Sequence, residues 1–391
     1  MRRIIALTLM ILLLLPAFAL AQDDTAGLHD AIDKILKGHK ATGAAVYVAK
    51  DGEIVYEHLY GWADAKAKIP VSADTYFRTA SVTKMISGVH VMQLVEQGLL
   101  DLDENIGAYL GYSVTNPYAD DAPVTLRHLM THTSSLSPNG GYTKSSRKLS
   151  ELLDDSTRQW NNFRKYAPGS KYEYSNFGAG IMGSLIESVT GKNLNDAVTE
   201  GLFAPLGMDA AYYQTLLGNT DNITALYTDQ KKLFSSRSNL LQDEWDTAVD
   251  PDTHYRKTVG AVWMKGIDMC RMGMLLCGGG TLDGVTILQP ETVALMQADQ
   301  NGQPGITVSS PYGLCINRVD NLVEGRMLYG HQGMSNGVVC NVYYDPETQF
   351  VFTLVTNGSS ASMTDHICRI SRRTFAQCWM YFSGTEDAPI T

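Results

Sequence analysis

Apolar positions in this chain fall into a few clear periods. Leu28, Ile32, Ile35 and Leu36 recur at helical spacing and predict an amphipathic helix ending near Gly38. Two stretches rich in Val, Ile and Tyr follow, 44–49 and 54–60, separated by Lys50-Asp51-Gly52-Glu53. Asp-Gly is a strong hairpin signal, so these predict paired antiparallel strands. After Phe77-Arg78-Thr79 the helical period returns in Val82, Met85, Ile86, Val89, Met92 and Val95 and runs out near Gly98.

From residue 99 to about 258 the pattern changes to short helical runs and long polar loops, including 123–137, Asn139-Gly140-Gly141 and Pro168-Gly169-Ser170. A mostly helical insertion is expected there. Within it, Ile181, Leu185, Ile186 and Val189 predict a helix stopped by Gly191, and 197–203 a second before Pro205. Beyond Val259 the expected order is a helix over 267–276, strands near 312–319, 327–329, 337–344 and 350–356, and a closing helix over 363–382. The last two strands flank Asp345-Pro346-Glu347-Thr348, a turn with Pro at its corner. Two strands before the insertion and several after it predict an α+β fold. Distant parts of the chain would complete one antiparallel sheet, flanked by helices.

The N-terminus reads as a targeting segment: Arg2-Arg3, an apolar run from Ile4 to Leu15, Pro16, and Ala19-Leu20-Ala21. A signal peptide over 1–21 with cleavage after Ala21 is expected, leaving 22–391 as a single exported domain, secreted or periplasmic. The run is short for a membrane span and no Cys follows it, so no membrane anchor is expected after cleavage. The formal charge is −10 and Lys and Arg are scattered, which argues against nucleic acid and anionic membrane as partners. Six cysteines lie in the last third without a C-x-x-C pair, so neither zinc nor another metal is implied. Cys315 with Cys340, both in expected strands, is the first disulfide pair to consider. Buried free thiols are the equal alternative.

The candidate chemistry begins with Ser81 and Lys84. Three residues apart at a helix start, they share one face of the first turn. A serine hydroxyl is a weak nucleophile until a base takes its proton, and a lysine can be that base once desolvation deprotonates it. The helix N-terminus adds N–H groups where an oxyanion would develop. Taken alone, S-x-x-K is more often a capped, solvated turn. Tyr174 and Asn176, two apart in an irregular stretch, can project into one cleft, and a tyrosine near an ammonium can relay a proton. Tyr329-Gly330-His331-Gln332-Gly333-Met334 enters a strand, its glycines allowing close approach of a ligand.

In that order around a helical insertion, Ser81-x-x-Lys84, Tyr174-x-Asn176 and His331-x-Gly333 resemble the serine β-lactamase and penicillin-binding-protein family. The likeness is greatest to its class C and esterase-like branch. It extends to Thr75-Tyr76-Phe77-Arg78, to 92–98 and to 125–136. The resemblance implies that Ser81 is the acylated nucleophile, Lys84 its general base, and Tyr174 an aid to acylation and the base for the deacylating water. It places Asn176 against Lys84 and the substrate amide, His331 and Gly333 along the pocket, and the N–H groups of Ser81 and Met334 in an oxyanion hole. It implies no cofactor, and a small-molecule or peptide substrate, cell-wall peptide included.

Three departures shape the expectation. Lysine is usual in the family where this chain has His331, a residue mostly neutral at pH 7 when its pKa is near ~6.5. The substrate carboxylate thereby loses a fixed partner. Ser135 replaces a frequent Gly, and Met334 is bulky for an oxyanion strand. The expected function is an exported serine hydrolase acting on esters or amides, D-amino-acid peptides and β-lactams among them. A D,D-carboxypeptidase, a weak class C-like β-lactamase and a non-catalytic penicillin-binding-like sensor are the alternatives.

Overall fold

The computed structural model describes residues 25–137, 147–158, 160–229, 231–244, 246–302 and 311–391. The expected signal peptide over 1–21 and the Asn139-Gly140-Gly141 turn lie outside the described residues. Helix α1 (Ala26–Gly38) leads into strands β1 (Gly43–Lys50) and β2 (Glu53–Asp64). Asp51 and Gly52 take φ of 53° and 82°, the double positive φ of a type I′ hairpin. Next come β3 (Ile69–Pro70), β4 (Tyr76–Arg78), α2 (Val82–Glu96), α3 (Asn176–Thr190) and β5 (Ala210–Ala211). The chain finishes with β6 (Trp263–Lys265), α4 (Gly266–Cys277), β7 (Asn317–Val319), β8 (Leu328–Ser335), β9 (Val338–Asp345), β10 (Phe350–Thr356) and α5 (Arg369–Phe382).

Seven strands form one antiparallel sheet in the order β7-β8-β9-β10-β1-β2-β3. Side chains alternate across it into two cores, as a two-residue period requires. Val46, Val48, Val339, Phe352 and Leu354 face α1 and α5, where they meet Leu28, Ile32, Phe375 and Trp379. Ala45, Tyr47, Val342, Val351 and Val355 face α2 and α4 on the other side. Because both faces are covered, the central strands are buried throughout and read as continuous apolar runs. α3 packs against α2, and a small sheet β4-β6-β5 joins the chain before Ser81 to the chain after Val259.

Three expected elements need correction, and the cysteines settle on one of their two alternatives. The strand near 312–319 is only Asn317–Val319: Cys315 has φ 57° and sends its N–H to Met130 O, which breaks the extended run. The closing helix begins at Arg369, because Asp365 and His366 both take positive φ and turn Met363–Thr364 back onto Ile367–Cys368. The Cys315–Cys340 disulfide is not formed, and all six cysteines are buried free thiols. Cys315 Sγ faces Met182 Sδ at 3.6 Å, whereas Cys340 donates to Thr79 O at 3.0 Å. The strand expected at 327–329 extends to Ser335, past the glycines that hid its continuation.

Candidate active site

Ser81 is the N-cap of α2, and the residue before it, Ala80, has φ 42°. A left-handed alanine is strained and survives only where neighbours over-determine it. Gly333 of β8 presses on that turn: a Cβ there would lie 2.8 Å from Thr79 O and 2.9 Å from Ser81 N. Only glycine lets the strand come so close. The peptide leading to Met334 thereby passes beside the Ser81 amide, which makes no hydrogen bond among the described residues. Ser135, which accepts hydrogen bonds from Asn116 Nδ2 and Arg164 N, has φ 58°, the left-handed backbone that favours glycine.

Lys84, one turn into α2, is 1% exposed. Its Nζ lies 3.0 Å from Ser81 Oγ and 2.7 Å from Val259 O. Burial pushes its pKa down to about 7, with no carboxylate nearby to oppose the shift. A neutral amine donates one N–H to the carbonyl and keeps a lone pair for the Ser81 hydroxyl. That is the state a base requires. The Tyr174 ring sits 5.1 Å from the same nitrogen and is partly open to solvent, at 37% exposure.

Asn176 begins α3, next to the Ser175 hydroxyl that caps the helix through Gly178 N. Among the described residues its Oδ1 is buried without a hydrogen-bond partner, and Lys84 Nζ bonds to Ser81 and Val259 rather than to Asn176. The structure thus brings Ser81, Lys84, Tyr174 and Gly333 together, and Asn176 follows Tyr174 two residues on. Met334, 40% exposed, lies at the outer end of β8.

His331 is 2% exposed, so it belongs to the floor of the site. Its Nδ1 donates to Gln332 O at 2.6 Å, leaving Nε2 to accept the Tyr312 hydroxyl at 2.9 Å. Burial, and secondarily the Lys84 charge, push its pKa down to about 3. The ordinary value near ~6.5 expected from sequence is corrected by this burial. Neither ring nitrogen is left for a substrate carboxylate.

Several contributors carried no usable sequence signal. Val259 acts through a carbonyl, and Tyr312 sits in an irregular stretch with no motif. His132 lies 4.2 Å from the Tyr174 ring and 4.9 Å from Tyr312, centroid to centroid. Its Nδ1 accepts Ser175 N–H at 3.2 Å, and its Nε2 is buried without a partner among the described residues. Burial, then Lys84, hold it neutral. Among the described residues no group of three or more His, Cys, Asp or Glu could hold a metal. No helix there is long and apolar enough to cross a membrane.

Residues 28–374 match the family described as Beta-lactamase. Esterase EstB of Burkholderia gladioli is 35% identical over 208 residues, covering 49% of this chain and 52% of that protein. D-aminopeptidase of Brucella anthropi is 25% identical over 335 residues, covering 82% of this chain and 57% of that protein. The chain therefore spans about half the length of these curated relatives. Among solved structures, the octameric penicillin-binding protein homologue from Pyrococcus abyssi superposes with a TM-score of 0.71 at 21% identity, covering 93% of this chain and 79% of that one. D-amino acid amidase from Ochrobactrum anthropi SV3 gives 0.66 at 22% identity, covering 91% and 99%. At such identities these two likenesses concern the fold.

Proposed function

On the premise that this chain belongs to the beta-lactamase family, we propose that it is a serine hydrolase that acylates Ser81 with an ester or amide and then hydrolyses the acyl-enzyme. The observation that carries this reading is Lys84 Nζ, buried and within 3.0 Å of Ser81 Oγ, with its pKa brought down to about 7. A lysine so placed has lost the solvation that keeps it charged and faces the one hydroxyl it could activate.

The Ser81 proton passes to the Lys84 lone pair as the oxygen bonds to the substrate carbonyl carbon. The resulting oxyanion sits against the N–H groups of Ser81 and Met334. Collapse expels the alcohol or amine, which takes up the proton, and Ser81 is left as an ester. A water then attacks that ester, giving a proton to Tyr174 or Lys84, and that proton passes to the Ser81 oxygen as the acid leaves. Val259 O keeps the amine of Lys84 oriented throughout.

Esters are the leading substrates and D-aminoacyl amides the second reading, which the match to D-aminopeptidase over 82% of the chain favours. β-Lactam and D,D-peptide turnover rank below both, because His331 has no free nitrogen for their carboxylate. The test is intact-mass labelling with a fluorophosphonate, followed by peptide mapping and turnover of p-nitrophenyl butyrate and D-phenylalaninamide. One adduct at Ser81 with turnover of either substrate is expected. No adduct, or one on another serine, overturns the proposal.

A further inference from the structure

The segment that anchors Lys84 has a second face. Gly260, next to Val259, packs on Ala80, where an added Cβ would lie 3.2 Å from the Ala80 carbonyl carbon. Its carbonyl accepts a hydrogen bond from Arg78 Nε at 3.0 Å. Arg78 ends β4 three residues before Ser81 and pairs with Trp263 of β6. Its side chain borders a cavity of about 440 Å³ whose other walls include Trp263, Tyr212, Gln214, Gln242 and Asp243. That volume suits part of a small-molecule substrate.

The guanidinium in this cavity is underused. Among the described residues its two terminal nitrogens have no hydrogen-bond or ion-pair partner. Asp243, the acid on the rim, instead faces Lys257 Nζ at 3.7 Å. Burial depresses the Arg78 pKa, and the Asp243 carboxylate on the rim offsets this only in part, without pairing with the guanidinium. Such a charge is costly unless a ligand supplies the acceptor, and the planar fork of arginine fits a carboxylate through two parallel bonds.

We propose that this cavity is an anion subsite of the Ser81 centre, in which Arg78 holds a carboxylate carried by the substrate. The proposal rests on the acyl-transfer reading and narrows its substrates to esters or amides bearing an acidic group. Arg78 lies three residues before Ser81, so the two Cα atoms stand within about 10 Å of each other, a span that a substrate of a few bonds between carboxylate and scissile carbonyl can bridge. The strand that carries Arg78 and the carbonyls of 259 and 260 tie the subsite to the nucleophile and its base alike.

The test compares matched ester pairs. Mono-p-nitrophenyl adipate against p-nitrophenyl hexanoate places the acid in the acyl part. The butyrate of 5-hydroxy-2-nitrobenzoate against p-nitrophenyl butyrate places it in the leaving group. Wild type should favour the acidic member in one arm, and Arg78→Gln should lower that kcat/KM ratio roughly ten- to a hundredfold, whatever it does to the neutral ester alone. Arg78→Lys should recover part of the preference. Fluorophosphonate labelling of Ser81 in each protein separates the two levels: labelling without any acid preference overturns the subsite alone, whereas absent labelling in wild type overturns the acyl-transfer reading. If Arg78→Gln does not fold, the exposed rim position serves. Gln242→Lys should raise the ratio and Gln242→Glu lower it, each by about two- to fivefold. A ratio unmoved by these substitutions overturns the proposal.

Discussion

Two ends of the cleft hold a buried basic side chain, and they have opposite fates. At the α2 end, Lys84 is stripped of water yet keeps one valence open toward Ser81, with Val259 O as its fixed acceptor. At the β8 end, His331 is equally buried, but Gln332 O and the Tyr312 hydroxyl occupy both nitrogens. Desolvation drives both groups neutral, to about 7 and about 3. The difference teaches that a shifted pKa alone does not make a base. What matters is whether the structure leaves the lone pair facing something that can react.

The comparison breaks first on activity. Lys84→Met should lower kcat for p-nitrophenyl butyrate by roughly 10²- to 10⁴-fold, the usual worth of a positioned base, while His331→Gln should cost less than about tenfold. Equal losses would place the proton acceptor at the wrong end. Next comes the pH profile of kcat/KM for the same neutral ester. It should rise about tenfold per pH unit up to about 7 and level off above, because only the neutral amine of Lys84 accepts the Ser81 proton. An additional inflection near 6.5 that disappears in His331→Gln would show that His331 titrates after all.

The remaining tests concern stability. Tyr312→Phe leaves His331 Nε2 buried without its donor, and should cost about 1–3 kcal/mol in urea unfolding with little effect on kcat. The smallest effect is acid sensitivity. The unfolded His331 takes a proton near 6.5, whereas the folded one stays neutral to about 3, so the unfolded state binds more protons between those values. The stability contributed by the neutral ring is therefore complete above about 6.5 and is lost as pH falls toward about 3. Unfolding midpoints of His331→Gln should fall less over that window. Parallel curves for the two proteins would assign the acid loss to other groups.

Much of the sheet was legible because both its faces are covered. Stretches such as 338–345 and 350–356 are apolar at nearly every position, and a run of that kind bounded by Asp345-Pro346 needs no tertiary information. Ser81 and Lys84 were legible for a similar reason, since one helical turn fixes their proximity. What escaped was decided by contacts remote in sequence. The 312–319 stretch has strand-like composition, yet Cys315 N–H bonds to Met130 O and turns the chain. His331 was read as entering a strand whose continuation the glycines hid, and Tyr312 across from it set its tautomer and closed it to ligand. Carbonyls such as Val259 O leave no trace in a sequence, because every residue has one.

The pairing of β1 with β10 sets Ala44 against Thr356, more than three hundred residues away along the chain. Gly333, which presses on the Ser81 turn, lies on a strand held in the same sheet. Contacts so distant close late, after the entropy of a long loop has been met. During synthesis the nucleophile leaves the ribosome early, while the strand that borders it and the β10 edge that holds β1 come only near the end of the chain. Activity should therefore appear in one step with the last strands. A chain stopped before residue 330 carries Ser81 and Lys84 but lacks the strand that borders them.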